Sequence, residues 1–181
     1  LVESGQLQLD SPVQSVLPGF RPKTWDNASA NITPRMLMTH HSGLQRDVVQ
    51  GFHSPTPQRF TQLVSGFDRY LAYPPGQLLS YSNIGLSVLG AVVEKQSGMP
   101  FEQRLQQSVL APLGMTHSGF STAAAASPDM AQSYDARGVK ASVPMRDVPA
   151  GGLNSSANDL SRFMEAIFAD GKTKGQPWLK P

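Results

Sequence analysis

Tyr81 and Asn83 stand two residues apart in the triplet Tyr81-Ser82-Asn83, at the mouth of a long apolar segment. Side by side they offer a phenol, which can give or take a proton, and a carboxamide, which can donate and accept hydrogen bonds. A free Tyr titrates near pH ~10 and is a poor base at neutral pH, so proton-transfer chemistry at Tyr81 needs cations nearby to favour the phenolate or its hydrogen bonds. The triplet alone is also what a turn and a helix start look like. Asn83 can cap the helix that follows and Tyr81 can pack at the turn.

The elements around the triplet decide how it is held. A Pro74-Pro75-Gly76 turn leads into it. Behind it the spacing of Ile84, Val88, Leu89, Val92 and Val93 predicts a helix from about Asn83 to Gln96, ended by Gly98, with Gly85 and Gly90 on it. Pro100 opens a second helix carrying Phe101, Leu105, Val109 and Leu110, closed by Pro112 and Gly114, which makes a helical hairpin. Upstream, Thr33-Pro34 reads as a capped start of a short helix that stops at Ser42-Gly43. Residues 57–67 form another, with Phe60, Leu63, Val64 and Phe67 at helical spacing. Ser155-Ser156 caps a last helix with Leu160, Phe163, Met164, Ile167 and Phe168 on its buried face and Gly171 at its end. The weaker stretch between holds a small-residue run, Ala123 to Ala126, and a strand and turn at Tyr134 to Gly138 followed by a second strand from Val139 to Val143.

The 181 residues suit one domain or a large piece of one, and 39% hydrophobic content supports a sizeable core. A net charge of +2 with scattered Lys and Arg argues against a nucleic-acid partner or an anionic membrane surface. Without Cys there are no disulfides or thiolate metal sites, and the four His form no metal signature, so no cofactor is expected. No stretch is long enough to span a bilayer. Asn27-Ala28-Ser29, Asn31-Ile32-Thr33 and Asn154-Ser155-Ser156 fit the glycosylation pattern but read as turn and cap residues. Leu1 to Gly5 looks like the last turn of a helix, and both ends look cut.

Four segments in order carry a resemblance. They are Leu1 to Val13; Ile32-Thr33-Pro34 through Thr39-His40-His41-Ser42-Gly43-Leu44; Pro75-Gly76 through Tyr81-Ser82-Asn83 to Gly90; and Ala150-Gly151-Gly152-Leu153 through Asp159-Leu160. Leu110 to Met115 also fits. This order is similar to that of the class C β-lactamases, serine DD-peptidases and related esterases, with His41 where that family usually has Thr. The resemblance covers nearly the whole chain. It implies an α+β, β-lactamase/transpeptidase-like fold, of which these residues would be a mostly α fragment with few short strands. Residues 1–181 would then be a single partial domain, the main sheet lying outside.

The resemblance also implies chemistry. Family members attack an amide or ester carbonyl with the Ser of a Ser-x-x-Lys motif and pass through an acyl-enzyme. Tyr81 matches the catalytic Tyr that moves the proton, and Asn83 the Asn that hydrogen-bonds the substrate amide and the motif Lys. A third motif, Lys- or His-Ser/Thr-Gly on a strand, helps bind the substrate carboxylate. No Ser here has Lys three residues later, so the nucleophile is expected upstream of Leu1 and the third motif beyond Pro181. His41-Ser42-Gly43 and His117-Ser118-Gly119 imitate the third motif but precede the glycine-rich turn and read as loops, and Lys172-Thr173-Lys174 reads as a solvated turn.

The expectation is therefore a piece of a penicillin-recognising serine hydrolase, silent by itself, whose parent cleaves a β-lactam, a D-alanyl peptide or an ester in the bacterial periplasm or cell envelope. Apolar faces left open by the absent sheet would favour self-association. Two other readings stay open. One is a binding or sensor module that keeps the fold without turnover. The other is a structural helical domain in which Tyr81 and Asn83 share no cleft.

Overall fold

The computed structural model describes residues 1–25, 30–120, 130–139 and 143–180. Its organising element is α3 (Asn83–Ser97), where Ile84, Val88 and Val92 recur one turn apart and are wholly buried. Burying each such side chain contributes roughly 1.5–3 kcal/mol. The short helices α1 (Pro34–Met38), α2 (Phe60–Ser65), α4 (Phe101–Leu105) and α5 (Val148–Gly151) all pack on α3. Phe20, Ile32, Leu37, Leu44, Phe60, Val64 and Phe67 fill the space between them. On the α5 side the helices touch at Gly90, where a Cβ would run into the Pro149 ring and the edge of Phe60. At Gly85, by contrast, a Cβ would make ordinary contacts.

α4 continues into a wider helical turn, Gln106–Leu110, which completes the predicted hairpin with α3. A second, smaller core of Leu110, Leu113, Met115 and Ala166 lies under α6 (Ala157–Phe168). Trp178 closes it and donates its Nε1–H to the Ser108 carbonyl at 2.9 Å. Among the described residues the strands form three two-stranded antiparallel pairs. β1 (Gly119–Phe120) pairs with β4 (Leu153–Asn154), β2 (Tyr134–Asp135) with β3 (Gly138–Val139), and β5 (Lys172–Thr173) with β6 (Gln176–Pro177). The chain is thus helical with few short strands, as its sequence pattern predicts. No helix among the described residues is long and apolar enough to cross a membrane.

Several expectations change. α1 stops at Met38 rather than Ser42 because His40 takes a left-handed φ of 59°, which no continuing helix allows. α2 begins at Phe60, three residues after Pro57. Four of the five residues on the predicted buried face of α6 are open: Leu160, Met164, Ile167 and Phe168 are 47, 47, 45 and 80% exposed. The fifth, Phe163, packs as predicted, and with Asp159 and Ala166 it anchors the helix against the 110–118 segment and Trp178. Gly119 of the second third-motif imitation lies on β1, and Lys172-Thr173 is a strand, not a solvated turn. Residues 1–6 make the bonding pattern of a helix end, with Gly5 N–H on the Val2 carbonyl and Gln6 N–H on the Leu1 carbonyl, both 2.9 Å. Ala123 to Ala126, Asn27-Ala28-Ser29 and most of the predicted second strand after Val139 lie outside the described residues.

Candidate active site

Ser82, not Asn83, caps α3. Its backbone is extended, and its buried Oγ accepts the Gly85 N–H at 2.9 Å while donating to the Gln45 carbonyl at 2.7 Å. The N–H groups of Asn83 and Ile84 both reach the Arg46 carbonyl, at 2.9 and 3.3 Å. The first donors of the helix are therefore satisfied by Ser82 and by the 45–46 loop, and the Asn83 side chain is released from capping.

Tyr81 projects from the residue before the cap and is half exposed. One neighbour is His40, whose ring lies 4.5 Å away between centroids at an inclination of 38°. Another is Arg46, whose guanidinium carbon sits 5.8 Å from the centre of the phenol ring. This places a permanent cation against the Tyr81 ring, a cation–π contact. His40 also accepts the Ser82 N–H at Nδ1, at 3.3 Å, which requires the tautomer protonated on Nε2.

The segment feeding Tyr81 is laced to the loop after α1. Gly76 N–H binds the His41 carbonyl and Ser80 N–H the His40 carbonyl, both at 2.7 Å. Gly43 accepts Ala72 N–H at 2.8 Å, and its φ of 72° and the Tyr73 carbonyl beside it leave no room for a side chain. His41-Ser42-Gly43 is thereby a structural loop, with Ser42 buried.

Asn83 donates its Nδ2 to Asp47 Oδ1 at 2.8 Å, and Asp47 Oδ2 is 3.3 Å from Arg46 Nε. The dipeptide Arg46-Asp47 thus touches both sequence-predicted residues and makes them part of one surface. Its loop is held from across the chain by Arg146. That guanidinium, 4% exposed, donates to the carbonyls of Val48 and Gln50 at 2.8 Å each and forms a two-pronged pair with fully buried Asp147. The Arg146 N–H adds a bond to the Phe52 carbonyl at 2.9 Å, and its charge lies over the Phe52 ring.

A pocket lined by Gln6, Val13, Pro34, Val92 and Gln96 lies toward the other end of α3 and contains no titratable side chain. His117-Ser118-Gly119 also serves structure. Ser118 Oγ and His117 N–H both donate to Asp159, at 2.7 Å each, tying the loop to the start of α6. Burial works against the Asp159 charge, but the bonds from Ser118 and His117 and the nearby Arg162 outweigh it and hold the carboxyl below its usual range.

Sequence reasoning missed Asp47, Arg46 and Arg146. Neither Arg46-Asp47 nor Arg146-Asp147 lies in a motif or on a periodic apolar face. The one available signal was that Gln45-Arg46-Asp47 directly follows the Ser42-Gly43-Leu44 segment in the recognised order.

The family model described as beta-lactamase matches residues 1–179. A beta-lactamase of Providencia stuartii is 31% identical over 164 residues, which cover 89% of this chain and 40% of that protein. Esterase EstB of Burkholderia gladioli is 36% identical over 136 residues, 68% of this chain and 34% of its own. Among solved structures, a D-stereospecific amidohydrolase from a Streptomyces species superposes with a TM-score of 0.75 at 23% identity, covering 94% of this chain and 56% of its own; it is a likeness of fold. The chain spans well under half the length of the two curated relatives.

Proposed function

The chain belongs to the beta-lactamase family, and from that membership we propose that the protein carrying it is a penicillin-recognising serine hydrolase. It opens an amide or ester carbonyl through a Ser acyl-enzyme, the Ser and its Lys lying outside these 181 residues. Tyr81 carries the proton between nucleophile, leaving group and water, and Asn83 binds the substrate amide. The substrate is a β-lactam, a D-alanyl peptide or a related ester, met in the periplasm or cell envelope. The 181-residue chain by itself is silent, since it has no Ser-x-x-Lys.

The observation that carries this reading is the pairing of an exposed phenol with a carboxamide freed from capping, both touched by Arg46-Asp47, at the start of the most buried helix. Arg46 sets a permanent positive charge against the Tyr81 ring. A rigid helix start suits the task, because small displacements of a reacting group lower rates steeply.

The test is labelling of the full-length protein with a fluorescent β-lactam and a nitrophenyl ester. The expected result is a covalent adduct on a Ser outside residues 1–181 and loss of turnover in Tyr81→Phe. An adduct on a Ser within this chain, or turnover indifferent to Tyr81→Phe, overturns the proposal.

A further inference from the structure

Asn83 presents one end of its amide to Asp47 and the other to the surface. Which end faces which is a question of hydrogen-bond chemistry, since the oxygen and nitrogen of a carboxamide have nearly the same shape. An ionised carboxylate only accepts, so Asp47 Oδ1 at 2.8 Å takes the NH₂ end and repels the carbonyl end. Asp47 is held in turn. Its other oxygen faces Arg46 Nε, and the carbonyls of the next residues, Val48 and Gln50, are gripped by Arg146. Its side chain is only 27% exposed, so water competes weakly for it. Among the described residues nothing hydrogen-bonds Asn83 Oδ1.

We propose that Asp47 is a positioning residue that locks the Asn83 amide with its carbonyl oxygen outward, so that the site presents an acceptor for an N–H donor. This rests on the hydrolase reading above. The donor is an N–H on the acyl side of the substrate or an ammonium of the protein itself. A substrate approaching with a carbonyl or carboxylate at that point meets Oδ1 and Asp47 together and is disfavoured. An Asn at position 47 would keep the size but offer both a donor and an acceptor, so Asn83 could take either orientation.

The experiment uses the full-length protein and two nitrophenyl esters, one of an N-acylglycine and one with CH₂ in place of its N–H. Rates are read for the unsubstituted protein, Asp47→Asn and Asp47→Glu. If the donor is in the substrate, the ratio of kcat/KM for the two esters falls roughly 3- to 10-fold in Asp47→Asn, the worth of about one hydrogen bond. If the donor is an ammonium of the protein, both rates fall together by a similar factor. In either case Asp47→Glu, which keeps an acceptor-only group, restores part of the loss. Unchanged rates and ratio in Asp47→Asn, or a loss that Asp47→Glu does not restore, overturn the proposal and leave the hydrolase reading standing.

If neither ester turns over, the side-chain amide resonances of Asn83 decide. Two strongly inequivalent Nδ2 protons that converge in Asp47→Asn support the lock. The same resonances in both proteins overturn it.

Discussion

The imidazole of His40 leans on the phenol of Tyr81, with ring centroids 4.5 Å apart, and the same imidazole takes the N–H of Ser82 at its Nδ1. One side chain therefore supports the phenol and completes the cap beside it. His40 does so from a left-handed backbone, which costs a non-glycine residue roughly 1–2 kcal/mol.

Substitution at His40 separates these two contributions. His40→Gly should relieve the backbone strain but lose ring and acceptor, whereas His40→Ala loses both and keeps the strain. We expect His40→Ala to be less stable than His40→Gly by about 1 kcal/mol in denaturant unfolding. Both should impair hydrolysis in the full-length protein, and His40→Asn, which tolerates that backbone and can still accept, should impair it less. Equal stability of the Gly and Ala variants would contradict the strain argument.

Tyr81→Phe keeps the ring that packs on His40 and removes only the hydroxyl. Its thermal midpoint should be nearly unchanged while kcat/KM on a nitrophenyl ester falls by ~100-fold or more, the usual worth of a positioned proton carrier. A large drop in the midpoint would mean that the hydroxyl supports the fold.

The two glycines on α3 should respond in opposite ways. Gly90→Ala drives a methyl into Pro149 and Phe60 and should destabilise by about 1–3 kcal/mol. Gly85→Ala meets only ordinary contacts and gains helix propensity, so it should be neutral or stabilising by up to ~1 kcal/mol. Thermal unfolding of the two variants measures the difference.

Asp159 titrates below its unfolded value because Ser118, His117 and Arg162 favour its charge more than burial opposes it. A depressed carboxyl contributes stability that is complete above the unfolded pKa and is lost as pH falls through the folded one. Acid unfolding monitored by circular dichroism should therefore steepen below about pH 4. Asp159→Asn should be less stable at pH 7 and should lose that part of the pH dependence. An identical acid profile in the variant would remove Asp159 from the account.

The open face of α6 predicts behaviour of the isolated chain. With Leu160, Met164, Ile167 and Phe168 exposed, the 181-residue chain should bind a hydrophobic dye and associate as concentration rises. Met164→Glu with Ile167→Glu should weaken both effects, read by light scattering. A monomer that binds no dye would overturn this prediction.

Helices were legible where side-chain period and caps agreed. Thr33-Pro34, Ser156 and the stripe from Ile84 to Val93 each state their own structure locally. The face of α6 was misread because periodicity reports that a face is apolar and says nothing about what stands opposite it. Ser82 was passed over as the cap for a related reason. Asn and Ser cap about equally well, and the choice was made by the Gln45 carbonyl and His40, both distant in sequence. Asp47 and Arg146 were invisible for the same cause, since their partners lie 36 and 96 to 98 positions away.

The grip of Arg146 on the Val48 and Gln50 carbonyls spans 98 and 96 positions, whereas α3 closes each of its own bonds within one turn. Closing a long loop costs entropy before any contact repays it, so such links form late. Until residue 146 has left the ribosome, the Val48 and Gln50 carbonyls lack this partner, so a chain cut short of it would carry the loop after Asp47 without its grip.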